Sequence, residues 1–225
     1  MKALDLYCCG GGAGRGLHQA GFEVTGVDIN PQKRYPFKFI QSDVMQLSID
    51  FLREFDFIWA SPPCQAYTLA GTQWRREGKE YPDLIEATRA MLIESGVPWV
   101  IENVPEAPLK NPVVLCGAMF GLKTYRHRLF ESSFKIEQPE HPPHVAKSTK
   151  MGRPPKEGEF MQIVGHFSGV PQAREIMGLP GLNQYELAQA IPPAYSKYIA
   201  EQFFKSISVF TEEPDGQLAM VVDWP

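Results

Sequence analysis

At 225 residues, 44% of them hydrophobic, the chain is long enough for one generous domain with a sizeable core. Its four cysteines, Cys8, Cys9, Cys64 and Cys116, show no paired spacing and no C-x-x-C, which argues against a disulfide scaffold and for unpaired thiols in a reducing compartment. A net charge of −4 does not advertise a nucleic-acid binder, so any such binding needs a local basic surface.

The Met-Lys start leads directly into a strand pattern, with neither signal peptide nor transmembrane run. Ala3-Leu4-Asp5-Leu6-Tyr7 is a short apolar strand that enters Cys8-Cys9-Gly10-Gly11-Gly12-Ala13-Gly14-Arg15-Gly16. Leu17 to Ala20 begins a helix that Gly21 ends, and Phe22 to Asp28 is a second strand. Strand, glycine turn, helix and acid-tipped strand form the nucleotide-binding βαβ pattern, although a glycine-rich stretch alone is also met as a plain turn. Asp28 is placed to accept hydrogen bonds from a ribose diol. The loop lacks the G-x-x-x-x-G-K-[ST] phosphate cradle, which argues against a nucleoside triphosphate. Phe39 to Val44 reads as a third strand with Asp43 near its end, either a surface turn acid or a partner for an exocyclic amine. Two acids closing consecutive strands beside a glycine turn fit an adenosine pocket, and suit S-adenosylmethionine better than a dinucleotide.

Phe55 to Ala60 is the next buried strand, stopped by Pro62 and Pro63, which cannot donate to a ladder. Cys64 therefore stands on a stiff turn at a strand's C-terminal edge, where open α/β sheets place their chemistry. A buried structural thiol is the plainer alternative. The polar segment through Gly78 suits a mobile loop. Asp83 to Ser95 is helical and Gly96 ends it; Val97 to Ile101 is a fifth strand that delivers Glu102-Asn103-Val104. A carboxylate at a strand tip is costly to bury unpaired, so Glu102 is a catalytic or charge-paired candidate. Leu115 to Phe120 reads as a short helix or turn. In Tyr125 to Phe130, Arg126 and Arg128 share a face if the segment is extended, as a solvated pair or as a site. Residues 137–160 are rich in proline and carry Lys147, Lys150, Arg153 and Lys156, as a disordered loop or a nucleic-acid contact. Within them, His141-x-x-His144 sits among prolines with no Cys nearby, so it reads as loop and no metal is expected. Short helices at 172–177 and 185–191 precede a last amphipathic helix, Ala194 to Ile207, and an acidic, peripheral tail from Thr211.

In this order the motifs resemble the cytosine-C5 DNA methyltransferase family. Asp5 to Gly12 with Gly16-Leu17 resembles its cofactor loop, Pro63-Cys64-Gln65 its nucleophile motif, Glu102-Asn103-Val104 its acid motif and Arg126-His127-Arg128 its paired-arginine motif. Ala173 to Pro180 and Ile191-Pro192-Pro193 resemble its closing motifs. The resemblance implies a doubly wound, mostly parallel α/β sheet of the Rossmann-like class I methyltransferase kind, with a small recognition insert. The expected divisions are a catalytic domain at 1–132, an insert at 133–172, returning helices at 173–210 and a tail at 211–225.

The resemblance also implies roles. Cys64 is the nucleophile at cytosine C6, Glu102 protonates N3, Arg128 holds the base carbonyl, and Arg126 supports it or a phosphate. S-adenosylmethionine is the cofactor. Its set is Tyr7 stacking on adenine, Gly10, Gly11 and Gly12 in the loop, Asp28 with Ile29 at the ribose, Asp43 with Val44 at the adenine, Pro63 at the methyl side, and Gln189. Gln65, Tyr67, Arg75 and Arg76 belong to a loop over a flipped cytosine, and Lys147, Lys150, Arg153 and Lys156 face nucleic acid. The expected partner is DNA, with no membrane, for a monomer in the cytoplasm of a prokaryote or viral host. Three departures stand out. Cys9 replaces a family glycine, which fits if its φ is negative. Ala188-Gln189 replaces Gly-Asn. Only about 45 residues separate Arg128 from Arg174, which points to a short or relaxed sequence preference. Cytosine in RNA or a free nucleotide is the alternative substrate, and a non-catalytic binding module the alternative of another class.

Overall fold

Short apolar runs alternate with helical segments through the first half of the chain, and in the computed structural model they build one seven-stranded sheet. The structure describes residues 1–68, 72–150 and 152–208, with residues 74 and 75 by their backbone alone; the acidic tail from Thr211 lies outside them. Strands β1 (Lys2–Leu6), β2 (Glu23–Asp28), β3 (Lys38–Gln41), β4 (Phe57–Ala60) and β5 (Trp99–Asn103) are parallel. Strand β7 (Arg128–Ser132) enters antiparallel between β5 and β6 (Val113–Leu115), giving the order β3-β2-β1-β4-β5-β7-β6. This is the doubly wound, mostly parallel sheet expected of a Rossmann-like methyltransferase. The chain starts in the middle, runs to one edge, then returns to β4 beside β1. A crevice opens at the C-terminal ends of strands where the order reverses in this way.

Alternating side chains along each strand supply two cores. Phe57 and Trp59 of β4 face a cluster with Leu17, Phe22, Tyr195, Ile199 and Phe203, contributed largely by α1 (Gly12–Gln19) and α7 (Pro193–Ser208). Ile58 and Ala60 face the opposite cluster with Leu4, Leu6 and Leu92, under α2 (Ile49–Leu52) and α4 (Ile85–Ser95). Arg89 of α4 reaches Glu131 of β7 through bonds of 2.6 and 2.8 Å, a buried pair that ties the helix to the antiparallel strand. Helix α3 (Thr72–Arg76) occupies part of the polar segment read as a loop, while α5 (Val170–Met177) and α6 (Gln184–Gln189) enclose a smaller core around Met177 and Leu187. Among the described residues no helix is long and apolar enough to cross a membrane.

Several expected boundaries shift for a physical reason. The first helix starts at Gly12 and not at Leu17, because its glycines let α7 lie against it; Ser196 donates to the Ala13 carbonyl at 2.8 Å. Strand β5 extends to Asn103, so Glu102 lies within the ladder and not beyond it. Residues 117–120 form a 3-10 turn within the short helix or turn expected over 115–120, and Leu115 instead closes strand β6.

The tightness of the α1–α7 contact makes a prediction. A Cβ at Gly16 would collide with the Pro193 carbonyl oxygen and the Ser196 hydroxyl. Gly16→Ala gains helix propensity, about 1 kcal/mol, but overpacking against backbone outweighs it, for a net loss of about 2 kcal/mol or more. The melting temperature should fall by roughly 4–8 °C. A rise on calorimetry would show that the two helices separate freely.

Candidate active site

Four strand ends converge on a cleft of about 530 Å³. Tyr7 follows β1, Asp28 closes β2, Ser61 to Gln65 follow β4, and Glu102 and Asn103 end β5; all of these line it. Its outer wall comes from α6 and the residue before it, through Asn183, Tyr185, Glu186 and Gln189. Of the charged residues in the lining, Asp28, Glu102 and Glu186 are acids and Arg128 is the cation.

The reactive end is built from three elements. Pro62 and Pro63 end β4 and turn the chain, and Asn103 Nδ2 fastens that turn by donating to the Pro62 carbonyl at 3.0 Å. Cys64 is thereby held half-exposed at the sheet edge. Glu102, 7% exposed, meets Arg128 Nε at 3.0 Å from its Oε1. Burial pushes the Glu102 carboxyl above its usual range, opposed by the Arg128 charge and the Ser61 hydroxyl. Burial, and then the Glu102 charge, also push the Cys64 thiol up, while Arg128 and Arg126 pull it down. Cys64, Glu102 and Arg128 therefore share one electrostatic unit.

Arg126 does not share a face with Arg128. Its φ of 31° turns it out of the extended conformation, and it is 8% exposed. Its guanidinium donates to the Ile163 carbonyl and, at 2.7 Å, to that of Ala188. Burial depresses its pKa to about 9. Of the two options offered by the resemblance, a phosphate contact is thus corrected: Arg126 joins the insert and α6 to the site as a support.

The cofactor half mixes lining and scaffolding. Tyr7, Asp28, Ile29, Pro63 and Gln189 line the cleft. Asp28 accepts from the Cys9 amide at 3.1 Å and the Asn30 amide at 2.9 Å. Tyr7 is fixed by its hydroxyl, 2.8 Å from Thr88 Oγ1. Cys9 has φ 45°, so the condition of a negative φ fails: a thiol side chain occupies the left-handed region natural to glycine, costing about 1–2 kcal/mol. Gly10 lies under Leu182 and Glu186, and Gly12 under Ala190 and Ile191, so these glycines admit the C-terminal segment against the loop. Asp43 caps the 3-10 turn at 44–46 by accepting from Met45 at 3.0 Å, and Val44 is buried in the core; neither lines the cleft.

The nucleic-acid candidates separate similarly. Gln65 lines the cleft, whereas Tyr67 packs with Cys64 against Ile85, Val104 and Ala107. Arg76 is exposed, and the side chain of Arg75 lies outside the described residues. Lys147, Lys150 and Lys156 are exposed. Arg153, partly exposed, forms two bonds of 2.7 Å to Glu159. The proline-rich segment is laid on the sheet edge: Gln138 brackets the Val114 backbone at 2.6 and 2.9 Å, and Tyr125 donates to the Ala146 carbonyl at 2.8 Å. Folding also overturns the reading of His141 and His144 as histidines remote from any cysteine. Cys116 Sγ lies 3.4 Å from His144 Nε2, and His127 Nε2 lies 3.1 Å from His141 Nε2.

Sequence reasoning gave no role to Asn103, Ser61 or Tyr185. Asn103 stood beside Glu102 inside the acid motif, and Ser61 follows the buried strand ahead of Pro62-Pro63; a polar residue at each strand tip was the available signal. Nothing in the local pattern marked Tyr185.

Residues 1–112 match the family model for C-5 cytosine-specific DNA methylases. No curated protein sequence matches the chain. Among solved structures, a candidate DNA modification methyltransferase encoded within an E. coli prophage superimposes with a TM-score of 0.67 at 13% identity, covering 92% of this chain and 99% of that one. DNMT2 of Spodoptera frugiperda gives 0.58 at 14% identity, covering 91% and 98%. Dnmt2 of S. pombe gives 0.56 at 14%, covering 92% and 99%. At these identities the structural likenesses establish a shared fold. Over residues 1–112, which include Cys64 and Glu102, the chain belongs to the C-5 cytosine-specific DNA methylase family.

Proposed function

We propose that the protein methylates C5 of cytosine in DNA, taking the methyl group from S-adenosylmethionine through a transient Cys64 adduct. The observation that carries this reading is the Glu102–Arg128 pair, 3.0 Å apart, lining the same cleft as Cys64. The other end of the cleft fits the cofactor: an acid closes β2 for the ribose, Tyr7 offers an aromatic face, and no phosphate-binding loop is present. Bound there, S-adenosylmethionine supplies an electrophilic methyl group next to an acidic lining that favours its cationic sulfur.

Cytosine C5 is a weak nucleophile, so the residues must raise its electron density. The Cys64 thiolate donates a pair to C6, forming the S–C6 bond and shifting the C5–C6 π electrons onto C5. Glu102 gives a proton to N3 as charge develops there, and Arg128 compensates the carboxylate left behind. C5 then takes the methyl group; loss of its proton to a base, return of the N3 proton to Glu102 and departure of Cys64 restore the ring, the acid and the thiolate. Edge-on access within a duplex is closed, so the base must leave the stack.

Trapping tests this reading. DNA containing 5-fluorocytosine cannot lose fluorine as a cation, so turnover should stop with the Cys64 peptide attached to the base, visible by mass spectrometry. Absence of an adduct on every DNA context, despite cofactor binding, sinks the DNA reading. The short insert, with Arg153 already paired to Glu159, favours a second substrate class, cytosine in RNA or a free nucleotide. An adduct confined to those substrates would select it.

A further inference from the structure

The far edge of the sheet gathers a second chemical cluster that the proposed reaction does not use. Cys116 follows β6, His127 precedes β7, and His141 and His144 come from the proline-rich segment. One ligating atom from each lies within 4.8 Å of all the others. Cys116 is buried, His127 half-buried, and the other two exposed. We propose that Cys116, His127, His141 and His144 hold a zinc ion in a closed, four-ligand structural site.

Geometry carries the assignment. Tetrahedral zinc, with bonds of about 2.0–2.3 Å, keeps its donor atoms about 3.3–3.6 Å apart. The Cys116 Sγ–His144 Nε2 separation of 3.4 Å already has this value, and the two facing Nε2 atoms of His127 and His141 stand 3.1 Å apart. The wider pairs need to close by about 1 Å, which exposed histidine side chains can do. Two imidazoles facing each other through the same nitrogen can share one proton at most, whereas a metal takes both lone pairs. A thiolate with three imidazoles suits zinc better than magnesium or calcium, which take oxygen donors. Binding releases the Cys116 thiol proton to solvent and leaves four protein ligands with no open position, a structural site and not a hydrolytic one.

The consequence reaches the cleft. Two ligands come from the sheet edge and two from the insert, so the ion would clamp one to the other. His127 stands between Arg126 and Arg128, and its carbonyl accepts from Arg128 Nη1 at 2.8 Å. Fixing His127 therefore steadies the cation that faces Glu102.

The test is metal content, which is independent of methyl transfer. Tag-free, full-length protein purified without chelator should carry close to one zinc per chain by inductively coupled plasma mass spectrometry. The double variant His141→Ala/His144→Ala, altered only at exposed side chains, should keep its far-ultraviolet circular dichroism and lose at least nine-tenths of the metal. Cobalt-loaded wild type should show the intense visible bands of a tetrahedral ion and a thiolate-to-cobalt charge-transfer band, the latter absent in Cys116→Ser. Wild-type protein that binds neither zinc nor cobalt overturns the proposal. So does a double variant that retains full zinc.

Discussion

Cys64→Ala should reduce methyl transfer by about four orders of magnitude or more and abolish the fluorocytosine adduct, while leaving cofactor affinity within about threefold. The size follows from what is removed: without an S–C6 bond, C5 stays electron-poor and the remaining groups have nothing to stabilise. Cys64 shares the cleft with a second thiol, Cys9, and their surroundings separate them. Burial raises both. At Cys9 it is reinforced by the charges of Asp28, Glu186 and Asp5, which push the thiol to about 11. At Cys64, Arg128 and Arg126 oppose it. Both thiols are therefore raised, Cys64 by burial and the Glu102 charge, but only at Cys64 do guanidinium charges oppose the rise, so the thiolate is suppressed less there than at Cys9. Single-turnover assays and equilibrium cofactor titration check the two halves separately. Activity within tenfold of wild type would show that Cys64 is a structural thiol and that transfer proceeds without an S–C6 bond.

The strand tips were legible in the sequence because a parallel strand buried on both faces leaves an unbroken apolar run, as Phe57 to Ala60 does, and the residue that ends it must lie at the rim. Cys64, Glu102 and Asp28 were found in that way, and the motif order then gave them roles. The failures share a cause: a local pattern says nothing of what packs across from it. Gly12 to Gly16 look like loop, yet form a helix because α7 needs the space. Arg126 and Arg128 look like a pair by spacing, but a positive φ sends the first into carbonyls and leaves the second at the acid. His141 and His144 read as loop, with no Cys nearby, because β7 must pair between β5 and β6 before Cys116, His127 and the histidines of the insert meet.

Glu102→Gln should change the shape of the pH profile as well as its height. The productive state requires Cys64 ionised and Glu102 protonated, although the thiol is the weaker acid of the two. With Glu102 raised from its usual value and Cys64 also raised, that state is a minor species of constant population between the two pKa values. In wild type kcat/KM should therefore climb on the acid side through the pKa of Glu102, run flat, and fall on the alkaline side through that of Cys64. Glutamine removes the titrating acid, so the only remaining requirement is the thiolate. The variant should rise continuously across the neutral range to a plateau and lose the alkaline fall. The plateau should begin below the wild-type alkaline limb, because the Glu102 charge that raised the thiol is gone. Near neutral pH the loss should be about 10²–10⁴-fold, the usual contribution of a positioned general acid, and it should shrink as pH increases. Stopped assays across pH, paired with the alkylation rate of Cys64 in both proteins, measure the profile and the thiol separately. A variant that keeps the wild-type flat region would assign the proton at N3 to a group other than Glu102.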